Sequence, residues 1–452
     1  MTSKSAIHVF TRLLPVGSLL VSLPLVSLLV SPALADSTAQ TDTTAAPVKA
    51  PLHPKKHKVA KAPSPDQVAV PTKKPVAAAP AVDTSSPLTL NLTYTGEDWQ
   101  NSGGKQAGND YMWGVDASLT VDGQKLFGWQ GATFYVEGFY VGGKSLDDDY
   151  VGAGEAPSAL DAFGTMNTPK LYQAYYDQQI GNTNILIGKY DVQTQFGTTH
   201  PMDLFANKSQ AMTMTYFTAG LVGTNFPSVY PDTSVGVRVK QTFNDQWSVK
   251  LGLLNGEADS PDATASTDVV IAPKYGALAL AEVDYTPSKY TKLMVGTWAD
   301  TGLLTAFQYH AAPTQTWGEI GEYVGGATRL YTIEGARGVD GFFNIGLAPG
   351  TTNLASFTAE AGVTITGLFS ARPKDGVGIA VAYDQNSQDF KNLYGGNLAS
   401  YESVVEFTYR AKITDWLNVQ PEVDYIGNPA LAYPSKSAFA YGLHFELHRE
   451  FN

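Results

Sequence analysis

From Leu88 onward, apolar and polar residues alternate with a period of two. Leu88, Leu90, Leu92 and Tyr94 interleave with Thr89, Asn91 and Thr93. Trp113, Val115, Ala117, Leu119 and Val121 interleave with Asp116, Ser118, Thr120 and Asp122. Near the far end Leu417, Val419, Val423 and Tyr425 oppose Asn418, Gln420, Glu422 and Asp424. The last run sets Phe439, Tyr441, Leu443, Phe445, Leu447 and Phe451 on one face. Successive side chains of a strand point to opposite faces, so each such segment has one apolar and one polar side.

A soluble sandwich alternates in the same way, so connection lengths have to decide. Short turns recur at Gly181-Asn182-Thr183-Asn184, Phe243-Asn244-Asp245-Gln246, Thr286-Pro287-Ser288-Lys289, Arg337-Gly338-Val339-Asp340, Arg372-Pro373-Lys374-Asp375 and Thr414-Asp415. Long excursions rich in Gly, Asp and Ser lie between them, at 142–169, 192–234, 255–274, 300–327 and 385–400. Alternating short and long connections is the pattern of outer-membrane barrels, with turns on one side and loops on the other. The pattern predicts an all-β, transmembrane antiparallel β-barrel of 16 strands between Leu88 and Phe451, with short periplasmic turns and long extracellular loops. The even count places both ends of the barrel on the periplasmic side.

Composition narrows the function. Cys is absent, which removes disulfides, zinc–thiolate sites and a cysteine nucleophile. The chain carries 42 acidic against 30 basic side chains, which argues against a nucleic-acid partner. Mean hydropathy is slightly polar, −0.12, which excludes a bundle of transmembrane helices but not a barrel, whose strands are only half apolar.

The N-terminus divides into two segments ahead of the barrel. Lys4 and Arg12, the apolar stretch Leu13 to Val30 and the small-x-small Ala33-Leu34-Ala35 read as a signal peptide over residues 1–35. Residues 36–87 are rich in Lys, Pro and Ala, with seven Lys against four Asp, a composition that favours a disordered, extended periplasmic linker. It reads either as a solvated spacer or as a tether drawn by its lysines to anionic peptidoglycan. Residues 88–452 form the barrel.

Aromatic residues gather near the expected strand ends: Trp99, Tyr111, Trp113, Trp129, Trp247, Tyr285, Tyr290, Trp298, Tyr409 and Trp416. Such rings form interfacial girdles at lipid headgroups. Tyr135, Phe139 and Trp298 also fit a second reading, in which rings stack on the C–H faces of sugars.

Four blocks resemble a known family. They are Lys170 to Gln179 with Ile187-Gly188-Lys189-Tyr190-Asp191 and Phe205 to Ser209; Gly236 to Lys240 with Trp247-Ser248-Val249 and Leu254-Asn255-Gly256; Ala361-Gly362-Val363 through Thr366-Gly367-Leu368 with Arg372-Pro373-Lys374-Asp375 and Gly378-Ile379; and Glu406 to Lys412 with Trp416-Leu417, Gln420 to Ile426 and Asn428-Pro429. In order and spacing they are similar to the carbohydrate-selective porins, the OprB-like sugar porins of Gram-negative outer membranes. The resemblance implies passage of monosaccharides or other small polyols, and it accounts for Pro421 inside a strand. The Lys/Pro linker and the trailing Asn452 depart from it.

In such a pore the longest connection, 192–234, is the candidate constriction, with Gln193, Gln195, His200, Asp203, Asn207 and Gln210 able to bond sugar hydroxyls. Alternation turns Glu137, Lys189, Asp191, Arg238, Lys240, Lys250, Glu282, Asp284, Lys292, Glu334, Glu360, Glu406, Arg410 and Lys412 inward, since Arg or Lys on the lipid face at the midplane costs about 2–4 kcal/mol. The expected pore-lining and substrate residues are Glu137, Lys189, Asp191, Gln193, Gln195, Arg238, Lys240, Glu406 and Arg410. No cofactor and no catalytic constellation is expected. His444 and His448 would stand about 13 Å apart on a strand, too far to share a metal. Asp147-Asp148-Asp149 reads as a solvated loop tip or as a calcium or lipopolysaccharide contact. The expected partners are sugars or polyols and outer-membrane lipid and lipopolysaccharide. Two further roles remain open, a general porin without sugar preference and a barrel that anchors the envelope through its basic tail.

Overall fold

The computed structural model describes residues 86–452 apart from 155, 162–166, 207–227, 259–268, 270, 307–313, 394–397 and 431–435. The signal-peptide segment, the linker up to residue 85, and Asn207, Gln210 and His310 lie outside the described residues.

Sixteen strands follow one another around the wall. They are β1 (Leu88–Gly104), β2 (Gly108–Asp122), β3 (Ala132–Gly143), β4 (Pro169–Ile180), β5 (Thr183–Tyr190), β6 (Ser234–Thr242), β7 (Trp247–Asn255) and β8 (Ala277–Ser288). The second half comprises β9 (Thr291–Ala306), β10 (Thr314–Glu334), β11 (Arg337–Leu347), β12 (Ala355–Thr366), β13 (Gly376–Asn386), β14 (Tyr401–Lys412), β15 (Leu417–Gly427) and β16 (Lys436–Phe451). Each pairs antiparallel with its sequence neighbours, and β1 pairs β16, so the sheet closes without an edge. Closure pairs the strand backbones with one another around the wall, which is what lets strands cross a bilayer.

Register carries the sequence alternation into three dimensions. Leu90 faces Phe451 and Leu119 across its two neighbouring strands, and Leu92 faces Ala117, so the apolar columns align on the outer face. Leu251, Leu253, Val295 and Ile379 stand more than half exposed there. Asn452, one residue past the final aromatic, accepts a hydrogen bond from Thr89 Oγ1 at 3.0 Å and so ties the end of the chain to the start of β1. Pro421 opens the β14–β15 ladder between Thr408↔Glu422 and Ala411↔Val419. Gln420 fills that gap: its Nε2 donates to Thr408 Oγ1 at 2.8 Å and its Oε1 accepts from Arg410 Nε at 2.7 Å.

Three expectations need correction. The stretch 300–327 is mostly wall, because β9 runs to Ala306 and β10 begins at Thr314. Its Thr- and Gly-rich sequence still pairs, and Gly318, at φ +74°, absorbs a register shift. Trp99 and Trp298 do not belong to a girdle. Both are almost fully buried on the inner side, whereas Tyr111, Trp129, Trp247, Tyr290 and Trp416 are exposed as girdle residues should be. The acidic run of the β3–β4 loop is not uniformly solvated either. Asp147 is buried and accepts the Ala153 N–H at 2.7 Å, while Asp148 and Asp149 face solvent. Burial, then the neighbouring Asp161, pushes the Asp147 carboxyl well above the ordinary carboxylate range.

The polar inner face also carries apolar clusters wherever a loop folds back into the barrel. Trp99, Met112, Val404, Ile426 and Ala440 pack on Leu146 and Val151 of the β3–β4 loop. Leu186, Tyr190, Leu254, Leu280 and Trp298 pack on Val192 and Phe196 at the start of the β5–β6 connection.

Candidate functional site

Residues 192–206, the described start of the β5–β6 connection, cross the lumen. Two glycines on the inner face make room for them. A Cβ at Gly252 would come within 2.9 Å of the Phe196 ring, and one at Gly378 within 2.8 Å of the Phe205 ring. The segment starts against β6–β9: Gly197 N–H donates to Glu282 Oε2 at 2.6 Å, and Thr198 O accepts from Lys292 Nζ at 2.9 Å. It ends on the far side, where Met202, Leu204 and Phe205 pack on Ala327, Phe342 and Ala380. There Ala206 N–H donates to Glu406 Oε1 at 3.0 Å, and Arg410 Nη2 holds the carbonyls of Asp203 and Leu204 at 2.6 and 3.1 Å. The walls it joins, β7–β8 and β14–β15, lie seven strands apart in the closed order of sixteen.

Those two walls have opposite charge. Arg238, Lys240, Lys250 and Lys292 project from β6, β7 and β9, with Glu282 and Asp284 of β8 among them. Lys250 bonds Glu282 at 2.6 Å and Asp284 at 3.1 Å, and Lys292 bonds Asp284 at 3.2 Å. On the other side Glu360, Asp384, Glu402, Glu406, Glu422 and Asp424 are all buried in the inner wall. Between the basic wall and the crossing loop lies a polar cavity of about 320 Å³, lined by Thr194, Gln195 and Thr198 of the loop and by Arg238, Lys240, Ser248, Lys250, Asp284, Thr286 and Lys292. That size falls at the lower end of small-molecule sites.

Eight of the nine site residues expected from sequence fall into three groups. Gln195, Arg238 and Lys240 come together in the cavity, where Gln195 Oε1 accepts from Arg238 Nη2 at 2.8 Å. Glu137, Asp191 and Gln193 belong to a buried network at the root of the loop. Glu137 accepts from Gln173 at 2.6 Å and from Tyr135 at 3.0 Å, and Asp191 accepts from the Gln193 N–H at 2.7 Å and from Tyr172 Oη. Glu406 and Arg410 anchor the loop tip on the opposite wall. Lys189 departs from its expected inward position. It pairs with Ala174 and Val235, two residues on from outward Ile187, because Leu186 and Tyr190 take the inner column. It is nevertheless buried.

Of the rings that could stack on sugars, Phe139 and Trp298 are buried and Tyr135 is half-buried. Phe139 packs on Tyr172 and Tyr230, Trp298 lies within the Leu186 cluster, and Tyr135 stacks on Tyr175. Lys250, Asp284 and Lys292 were recognisable as inward-facing but not as cavity residues. The signal that could have added them is register, which sets Lys250 directly opposite both Lys240 and Glu282.

Burial pushes the Asp191 carboxyl up to about 7, against the lowering effect of its bonds from Tyr172 and Gln193. The folded chain therefore holds a proton that the unfolded chain releases at its ordinary value of 3.8. This contribution is complete below that value and is lost as pH rises through about 7. The thermal midpoint should fall between pH 5 and pH 8, and Asp191→Asn, which keeps the turn acceptor, should flatten that fall. Equal slopes for the two proteins would rule Asp191 out as the titrating group.

A closed, even-stranded barrel with an apolar outer face, a charged lumen and an inward loop defines an outer-membrane diffusion pore. Residues 107–448 match the carbohydrate-selective porin family, OprB. Porin B of Pseudomonas aeruginosa is 23% identical over 351 residues, covering 68% of this chain and 75% of that protein. The high-pH structure of Pseudomonas putida OprB superimposes with a TM-score of 0.73 at 20% identity, covering 80% of this chain and 94% of that one. The low-pH structure of the same protein gives 0.50 at 17% identity, covering 80% and 93%. The chain belongs to the carbohydrate-selective porin family, and it serves as a sugar-diffusion porin of the bacterial outer membrane.

Proposed function

We propose that selection of neutral polyhydroxylated solutes, monosaccharides among them, takes place where the crossing loop meets the basic wall. The observation that carries this reading is the 320 Å³ cavity, in which Thr194, Gln195 and Thr198 face Arg238, Lys240, Lys250 and Lys292. Hydroxyls of a sugar accept from the cations and donate to Gln195, Asp284 and the threonines. The opposed acidic wall sets a field across the pore that orients water, which favours dipolar polyols over apolar guests. Binding is weak, so a solute leaves as readily as it enters. Solutes cross by passive diffusion, and no catalytic step is assigned.

Single-channel conductance in planar bilayers tests this directly. Added glucose should block the wild-type current, and Arg238→Ala with Lys240→Ala should weaken that block and shift the reversal potential toward cation selectivity. An unchanged block and potential would remove the cavity from the selection step. Liposome swelling with glucose, arabinose and a size-matched amino acid separates this reading from a general porin, for which all three rates would be equal.

For the N-terminus we propose a cleaved signal peptide over residues 1–35 and a periplasmic linker over 36–87, whose Lys clusters attract anionic peptidoglycan. Co-sedimentation of the barrel with purified peptidoglycan should weaken when residues 36–87 are removed.

A further inference from the structure

Three carboxylates converge on the inner wall with no role in the selection zone. Glu406 of β14 stands directly across from Asp424 of β15, and Glu422 lies diagonal to Glu406, opposite Thr408. Like charges facing each other across a ladder destabilise a sheet. Here one ligand atom from each of the three lies within 4.8 Å of the others, and all three residues are at most 2% exposed. Glu422 adds an independent sign: both of its carboxylate oxygens are buried without a hydrogen-bond partner.

The neighbouring cation does not resolve this. Arg410, four residues along β14 from Glu406, directs its guanidinium to Gln420 and to the loop carbonyls of Asp203 and Leu204. His444, on the adjacent β16, pairs with Glu97 at 2.8 Å. A buried carboxylate whose two oxygens both lack a hydrogen-bond donor, as at Glu422, is strongly disfavoured.

We propose that Glu406, Glu422 and Asp424 form a binding site for a calcium ion in the barrel wall. Calcium is a hard cation that takes six to eight oxygen ligands in flexible geometry, and carboxylates bind it in one- or two-oxygen modes. Magnesium demands a stricter octahedron and keeps several waters, which a site this enclosed does not favour. The ion neutralises the carboxylates and fixes Glu406, whose Oε1 receives the Ala206 N–H at the loop tip. Calcium thus holds the constriction loop to the wall opposite the selection cavity.

The test uses the full chain refolded in detergent free of lipopolysaccharide, stripped with EDTA and equilibrated with radiolabelled calcium. The wild type should take up one ion per chain, and calcium should raise its thermal midpoint. Glu422→Gln and Asp424→Asn, whose folding is checked by heat-modifiable gel mobility, should each weaken uptake by more than about tenfold, an effect that loss of even an outer ligand partner reaches. Asp148→Asn with Asp149→Asn, on the exposed loop tip, should leave uptake intact. No uptake by the wild type at millimolar calcium overturns the proposal, as does wild-type uptake by either folded variant. So does a midpoint that, in the Asp191→Asn background, rises on acidification in EDTA yet ignores calcium, which would assign a shared proton to the cluster.

Discussion

Lys250→Met should destabilise the barrel by about 3 kcal/mol, the lower end of what breaking a buried ion pair costs. Lys250 is the cation bound to both Glu282 and Asp284, at 2.6 and 3.1 Å, and the Glu282 side chain has no solvent exposure. Methionine preserves the length of the side chain but leaves the two carboxylates with Lys292 as their remaining ion-pair partner among the described residues. The lower end of the range applies because Lys250 borders the polar cavity, where water screens part of the charge. Denaturant unfolding in detergent measures the effect. A triple variant that adds Glu282→Gln and Asp284→Asn should recover most of the loss, since it removes the stranded charges. A triple variant as unstable as the single one would mean that packing, not charge, makes Lys250 necessary.

The second large effect concerns the loop tip. Arg410→Ala removes the donor that holds the Asp203 and Leu204 carbonyls and the Gln420 amide. Hydrogen bonds from a charged donor contribute about 1.5–3 kcal/mol each. Without them the crossing segment is held to the acidic wall only by the Ala206 N–H on Glu406, the Gln420 Nε2 bond to the Leu204 carbonyl and the apolar seat of Phe205 on Phe342 and Ala380. Single-channel conductance should rise, and the glucose concentration for half block should increase about tenfold, equivalent to about 1.4 kcal/mol. Arg410→Lys restores the charge without the planar fork and should recover only part of the block. Identical conductance and block in all three proteins would show that the loop is held without Arg410.

Much of the fold was legible because strand periodicity is local. A residue's face follows from its parity along the strand, so the outward Leu251, Val295 and Ile379 and the inward Arg238, Lys240 and Lys250 could be assigned one segment at a time. Parity fails where strands end or shift register. Lys189 sits one place from inward Tyr190, and the sequence contains nothing that marks Leu186 and Tyr190, rather than Lys189, as the inner column. The aromatic residues misled for a related reason. Trp99 and Trp113 look alike in sequence, but Trp113 stacks on outward Tyr94 while Trp99 donates its Nε1–H to buried Glu97 at 2.7 Å.

The sequence by itself determined the architecture: alternation, turn spacing and an even strand count define a closed wall with an apolar outside, because each of these depends on neighbours along the chain. Length and polarity also single out residues 192–234, and the described start of that connection, 192–206, packs inside the barrel. Only the tertiary structure decided which inner residues share a site. Gln195 meets Arg238 across 43 positions, and Ala206 meets Glu406 across 200. Such pairings depend on where a loop turns inside the barrel and on which glycines leave room for it. The separation of positive and negative walls has the same origin, for it appears only once sixteen strands are arranged around a common axis.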